Sequence, residues 1–273
     1  MRAEPWFPLR TAIGILEQVE SRSVRPAEVR RLADGNTTLV TDGLFVVRVG
    51  HAWPLDPALE ARCCACARDG GVPAPEIAHI GTARGRPYLV YRRIEGYHPR
   101  PGVLTGLIAE ALARLHACDP APFPLIQTAR PRRRDRFILA DKALTSLLDR
   151  GLGRTVARLI SAAAADWASR ADVPVHGDYR APNLLVQHDA LTGVLDWTDV
   201  RRASRESDLG NVEISDLEPL VATYERVTGL RLDRAVIAGH ALARHFALAA
   251  AGIIPIAGAR RAAKYLVRWP ACG

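Results

Sequence analysis

Residues 175–199, VHGDYRAPNLLVQHDALTGVLDWTD, decide how the rest of the chain is read. The pattern predicts a strand entry and a tight polar loop from His176 to Asn183. A short apolar strand follows from Leu184 to Val186, then a turn and a second apolar strand from Gly193 to Leu195 that ends on Asp196. Such a hairpin brings two hard oxygen donors together, Asn183 and Asp196, with the Asp178 carboxylate five residues before the asparagine. That donor set suits Mg²⁺, which takes one or two carboxylates and leaves its remaining octahedral positions to water and phosphate.

The spacing resembles the aminoglycoside phosphotransferase and choline kinase family, small-molecule kinases of the protein-kinase-like fold. Four elements carry the resemblance, in order: His176-Gly177-Asp178, Asn183, Val194-Leu195-Asp196-Trp197 and Asp208-Leu209. It implies an α+β, bilobal architecture, with a five-stranded antiparallel sheet plus helix in the N-lobe and a mainly helical C-lobe. The expected division is a nucleotide-binding lobe over 1–94, a hinge at about 91–96, and a lobe over 97–273 holding the catalytic loop, metal loop and acceptor pocket. By the same resemblance Asp178 accepts or orients the proton of the attacking hydroxyl, and Asn183 and Asp196 hold Mg²⁺ on ATP or GTP. His176 and Gly177 shape the loop, and Asp208 bonds its backbone from the helix below. The implied activity is phosphoryl transfer to a small-molecule hydroxyl, foremost an antibiotic such as an aminoglycoside. A metabolite kinase and a nucleotide-binding pseudokinase are the alternatives.

Composition narrows the class further. At 273 residues with 48% apolar content, the chain is long enough for one large domain or two lobes about a cleft. MRAEPWFPLR has no apolar core of a leader, and the apolar run Ala241 to Ala259 is broken by Arg244, His245 and Pro255. An odd five cysteines, three of them crowded at Cys63, Cys64 and Cys66, argue for a reducing cytoplasm rather than a disulfide framework. The net charge of +8 raises a nucleic-acid reading, but the densest patch, Arg130, Arg132, Arg133, Arg134 and Arg136, has no interleaved aromatics. The expectation is therefore no nucleic-acid partner, no membrane, and a monomer or weak dimer that binds a nucleoside triphosphate and a small alcohol.

Along the chain, Leu9, Ile13 and Leu16 predict an opening amphipathic helix. The runs Val29–Ala33, Thr37–Val40 and Leu44–Val49, separated by Asp34-Gly35-Asn36 and Asp42-Gly43, predict a three-stranded meander. The resemblance places the phosphate-holding base of the third strand at Arg48, where the family usually has lysine. It leaves Gly35, Asn36 and Thr37 to cover the phosphates. The helix expected from about Ala58 to Asp69 offers Glu60 as partner to Arg48, and its cysteines read as buried small residues rather than a zinc site. A second hairpin, Glu76–Ile80 and Tyr88–Ile94, closes the sheet, and the resemblance makes Tyr91 to Glu95 the hinge, with Tyr91, Arg93 and Ile94 at the purine. Helices are predicted over Leu104–Ala117, Arg136–Leu148 and Leu152–Ser169, with Trp167 in the core and His116 at a helix end. The resemblance implies that the acid-rich stretch after the metal loop lines the acceptor pocket, with Asp199, Glu206, Glu213 and Asp216 as candidates to meet a cationic acceptor.

Overall fold

The computed structural model describes residues 7–26, 29–32, 37–50, 55–100, 102–103, 105–125, 148, 150–169 and 172–269. The first half builds helix α1 (Leu9–Glu20) and strands β1 (Arg30–Leu32), β2 (Thr37–Thr41) and β3 (Phe45–Gly50). Helix α2 (Pro57–Asp69) and strands β4 (Ile77–Ala83) and β5 (Arg86–Arg92) complete it. The expected five-stranded antiparallel sheet is present, in the order β1-β2-β3-β5-β4. Its hairpins close for local reasons. Asp42 Oδ1 accepts from the amides of Leu44 and Phe45, both at 2.9 Å, and Gly43 supplies φ +101°. Arg84 and Gly85 both take positive φ, the geometry of a tight turn between twisted strands.

Alternation along β3 decides what reaches the cleft. Val47 and Val49 pack with Val90 under Ile15 and Leu16 of α1. Val46 falls on the opposite face with Leu55, Leu89 and Tyr91, and Arg48 shares that face by the period of two. Helix α2 is started by Asp56, whose carboxylate accepts from the Leu59 amide at 3.0 Å, and by Pro57 at its first position. Its Cys63 and Cys64 are both buried in the large core, where burial pushes the Cys63 thiol up to about 12. They serve as small apolar residues, and among the described residues no group of three or more His, Cys, Asp or Glu stands together as a metal cage.

The second half contains α3 (Thr105–His116), α4 (Arg150–Ser169), α5 (Arg205–Leu209), α6 (Ile214–Thr228), α7 (Arg234–Ala250) and α8 (Ile256–Leu266). Two ribbons sit among them: β6 (Val173–Val175) with β9 (Arg201–Ala203), and β7 (Leu184–Gln187) with β8 (Ala190–Val194). The β7–β8 hairpin follows the predicted one. Strand β9 has no apolar alternation and escapes a pattern-based reading. Its Arg201 is fully buried over the Trp167 ring at 4.1 Å, and its Ser204 neighbour donates to the buried Asp166. The arginine-rich loop 130–136, the helix expected over 136–148 apart from Leu148, and Gly35 and Asn36 lie outside the described residues. No helix among the described residues is long and apolar enough to cross a membrane.

The halves are tied by backbone. Val194 N–H donates to Pro73 C=O at 2.8 Å, and Tyr97 and Val186 exchange bonds of 3.0 and 2.9 Å. The Thr192 hydroxyl donates to Glu95 C=O at 2.8 Å, and Gly96 at φ +147° passes where a Cβ would lie 3.0 Å from Val186 O.

At the end of α6, Glu225 accepts from Arg234 in a fork of 2.9 and 3.0 Å, from Arg231 at 3.3 Å and from the Leu232 amide at 2.9 Å. The Arg234 hydrogen bonds outweigh burial and hold the Glu225 carboxyl at about 2, below its ordinary 4.5. Its stabilisation is therefore complete above pH 4.5 and lost as pH falls toward 2. Wild type minus Glu225→Gln should show a stability difference on the order of 2 kcal/mol in urea at pH 6 that vanishes near pH 2. A difference independent of pH would contradict the clamp. Asp56→Ala should lower the urea unfolding free energy by about 1 kcal/mol through loss of the α2 cap.

Candidate active site

The loop after β6 is built from below. Asp208 of α5 is fully buried and accepts from the amides of His176 at 2.7 Å and Gly177 at 2.6 Å. Its second neighbour is the buried His116, with Nε2 at 3.4 Å from Asp208 Oδ2 and Nδ1 at 2.9 Å from the Tyr224 hydroxyl. Burial would raise the Asp208 carboxyl, but the hydrogen bond and charge of His116, then His176 and Arg201, hold it below the ordinary carboxylate range. His116 is thus a support beneath the loop, away from the cleft. Gly177 has φ +83°, and a Cβ there would lie 2.3 Å from Asp199 O and 2.2 Å from the Arg201 guanidinium. No other residue fits.

His176 is fully buried and works through its ring. Nε2 stands 2.9 Å from Leu195 O and Nδ1 3.3 Å from the Asp178 amide, so the ring donates through Nε2 and accepts at Nδ1. Tyr179 and Trp197 meet it edge-on at 5.9 and 5.1 Å. One imidazole therefore joins the Asp178 loop to the strand that delivers Asp196. Asp178 Oδ2 accepts from Arg180 Nε and Asn183 Nδ2, both at 2.9 Å, and its carbonyl accepts from Asn183 Nδ2 at 2.8 Å. The Asn183 side-chain nitrogen is thereby committed to Asp178.

Across the cleft Arg48 is buried between two carboxylates. Nη1 donates to Glu60 at 2.8 Å, and Nη2 donates to Asp196 Oδ1 at 2.5 Å and to the Thr198 hydroxyl at 2.7 Å. Burial alone would lower the guanidinium's affinity for its proton, but Glu60 and Asp196 reverse this and raise it. Asp196 sits at φ +60°, ψ +69°, left-handed for a non-glycine residue, and heads the short turn Trp197–Asp199. Burial raises its carboxyl, yet Arg48 and the Thr198 hydroxyl hold it below the ordinary range. An ionised aspartate and an asparagine carbonyl are the hard-oxygen chemistry that Mg²⁺ accepts from a protein.

The remaining predicted residues divide. Tyr91 is buried on the cleft face, and Ile94 lies against β8. Arg93 is exposed, pairs with Glu95 at 2.6 Å, and commits its amide to Leu44 O at 2.8 Å. Thr37 begins β2 opposite Gly50, while Gly35 and Asn36 lie outside the described residues. Of the acidic candidates, Glu206 is buried and accepts from the Asp233 amide at 3.2 Å, at the start of α7 rather than in a cleft. Asp216 is buried and accepts from the Gly102 amide at 2.6 Å. Glu213 lines a pocket beside Tyr179 and Arg180, and Asp199 presents its carbonyl to Arg201 at 2.9 Å. Four participants were not foreseen: Arg180, Thr198, Arg201 and Asn211, whose side-chain amide donates to Gly177 O at 3.0 Å. For Asn211 the available signal was its place three residues after Asp208.

Residues 28–245 match the phosphotransferase enzyme family. An aminoglycoside 3'-phosphotransferase of Niallia circulans is 27% identical over 151 residues, or 52% of this chain, and the match spans 58% of that curated relative's length. The crystal structure of the aminoglycoside phosphotransferase APH(4)-Ia in a ternary complex with AMP-PNP and hygromycin B superposes with a TM-score of 0.64 at 16% identity, covering 96% of this chain and 100% of that one. The apoenzyme of macrolide 2'-phosphotransferase MphH from Brachybacterium faecium gives 0.58 at 18% identity, over 96% and 98% of the two chains. A GDP and kanamycin complex of an APH(2") enzyme gives 0.63 at 16% identity, over 94% and 98%. At these identities the structural likeness establishes the protein-kinase-like fold. By the extent of the family match, the chain belongs to the phosphotransferase enzyme family.

Proposed function

We propose that this chain is an ATP- or GTP-dependent O-phosphotransferase acting on a hydroxyl of a small molecule, within the broad class of antibiotic-modifying kinases. The observation that carries the reading is the Arg48 guanidinium held between Glu60 and Asp196, which joins the strand of one lobe to the metal loop of the other. Relatives of this fold have been captured with AMP-PNP, ADP and GDP, in support of a nucleotide donor. In this reading residues 1–94 hold the nucleotide and 97–273 supply the catalytic loop and acceptor pocket. Tyr91 gives an apolar floor for the base. Since the Arg93 amide is committed to Leu44, the backbone of Ile94 is the hinge group assigned to the purine edge.

Arg48 is charged at every working pH and is assigned to the phosphates in this reading, with its plane oriented by Glu60. Asn183 and Asp196 would hold Mg²⁺, which when bound neutralises phosphate charge. Asp178 has one carboxylate oxygen fixed by Arg180 and Asn183. The other is assigned to the acceptor hydroxyl, which it orients and whose proton it takes as attack proceeds. Most of the acceleration then comes from alignment and charge compensation set in place before the reaction. Free thiols at Cys63, Cys64, Cys66 and Cys118 support a reducing cytoplasm, and the chain is read as a monomer or weak dimer without a nucleic-acid partner.

With Mg²⁺, labelled triphosphate and a panel of alcohol acceptors, Asp178→Ala should lower kcat by roughly 10²- to 10⁴-fold. Its calorimetric Kd for nucleotide should stay within about twofold of wild type, because the residue faces the acceptor. Equal loss of both would remove Asp178 from the assigned role. Asp196→Ala should weaken nucleotide binding about tenfold or more in Mg²⁺ and much less in EDTA. The same loss in both conditions would place Asp196 outside the metal site.

A further inference from the structure

Helix α2 ends against the segment that follows α3, and two half-buried thiols meet at that seam. Cys66 lies in the last turn of α2, and Cys118 stands two residues beyond α3. Cys66 Sγ donates to Asp119 O at 3.6 Å and Cys118 Sγ to Arg114 O at 3.3 Å, and a side-chain hydrogen bond joins the two sulfurs. The α2 backbone makes the room. Gly70 N–H donates to Cys66 O at 3.1 Å, so the two residues share a helix face, and a Cβ at Gly70 would collide with Cys118 Sγ. The other thiols of α2 are placed differently. Cys63 is fully buried with Sγ on Pro122 O at 3.5 Å, and Cys64 is buried in the large core.

Burial, with the Asp119 carboxylate beside it, raises the Cys66 thiol above its ordinary range, and burial with the neighbouring Cys66 pushes Cys118 up to about 11. Both are protonated at neutral pH, which keeps the reactive thiolate scarce and the pair slow toward weak oxidants. The hydrogen bond between them acts unequally, favouring charge on Cys66 and opposing it on Cys118. Cys66 is thus the attacking sulfur. Its thiolate opens a low-molecular-weight disulfide, leaving a mixed disulfide at Cys66 and releasing one small thiolate. Cys118 then gives its proton to solvent, attacks the Cys66 sulfur and displaces the second small thiolate. Two protein thiols are oxidised, and one small disulfide is reduced to two thiols.

We infer that Cys66 and Cys118 form a reversible disulfide that staples α2 of the sheet half to the helical half when low-molecular-weight disulfides accumulate. In a reducing compartment the pair stays open, and the bond forms only under such a challenge. The reduced chain, freed of reductant and held with excess glutathione disulfide at pH 8, should fall from five thiols titrated in denaturant to three. Non-reducing peptide mapping should recover Cys66 and Cys118 in one linked pair. Closing a loop of this length should raise the calorimetric melting temperature by roughly 5–10 °C, and dithiothreitol should reverse the gain. Neither Cys66→Ser nor Cys118→Ser should gain from oxidation. Five thiols remaining, mixed disulfides alone, or linkage through Cys63, Cys64 or Cys272 overturns the staple on the wild-type chain, without recourse to a variant. An oxidised chain that melts with the reduced one overturns it as well.

Discussion

A single buried imidazole sets the geometry on which the rest of the cleft depends. His176 donates through Nε2 to Leu195 O and accepts at Nδ1 from the Asp178 amide, so both ring nitrogens are used. Through it the loop bearing Asp178 and the strand bearing Asp196 are held at one spacing. The ring is itself fixed because its own amide, and that of Gly177, are bonded to Asp208. Displacing any member would shift two loops at once. Gly177 follows from the same constraint, since the closeness of Asp199 and Arg201 leaves no volume for a Cβ.

The cleft also concentrates buried charge, and each case is compensated. Asp208 has two backbone amides with His116 beside it, and Arg48 has Glu60, Asp196 and Thr198. A buried ion pair of this kind adds little net stability over an apolar substitute, because desolvation offsets most of the attraction. Its value lies in orientation. The guanidinium plane is held by Glu60 from one side and Asp196 from the other, which places its edge at the junction of the lobes. An arginine where the family usually carries lysine makes that bridging possible, since its fork can donate to several acceptors in fixed directions.

Much of this was legible in the chain. Asp42-Gly43 and Arg84-Gly85 mark hairpins because only certain residues tolerate their turns, and the alternation Val46-Val47-Arg48-Val49 aims the arginine at the cleft. The loop residues from His176 to Asn183 and Asp196 are likewise readable, because their types and spacing are tied to one local hairpin. What could not be read depends on partners distant in sequence. Arg201 looks like an ordinary surface arginine, yet it is fully buried over Trp167, and Asn211 reaches back to Gly177 from α5's far end. Carboxylates that look equivalent in a run, Glu206, Glu213 and Asp216, are separated by depth. Glu206 and Asp216 are turned to backbone amides, while Asp216 and the less buried Glu213 both line the pocket beside Tyr179. Composition reports charge but not which charges are already paired.

Helix α2 carries a consequence beyond its glutamate. Its Cys63, Cys64 and Ala67 belong to the same apolar cluster as Leu112, Leu115 and Trp197 of the helical half, and Val194 is bonded to Pro73 just beyond the helix. The sheet half cannot melt without exposing part of the helical half's interior. Although the molecule is organised around a cleft, heat should take it apart in a single cooperative step, with one calorimetric peak for the two halves together.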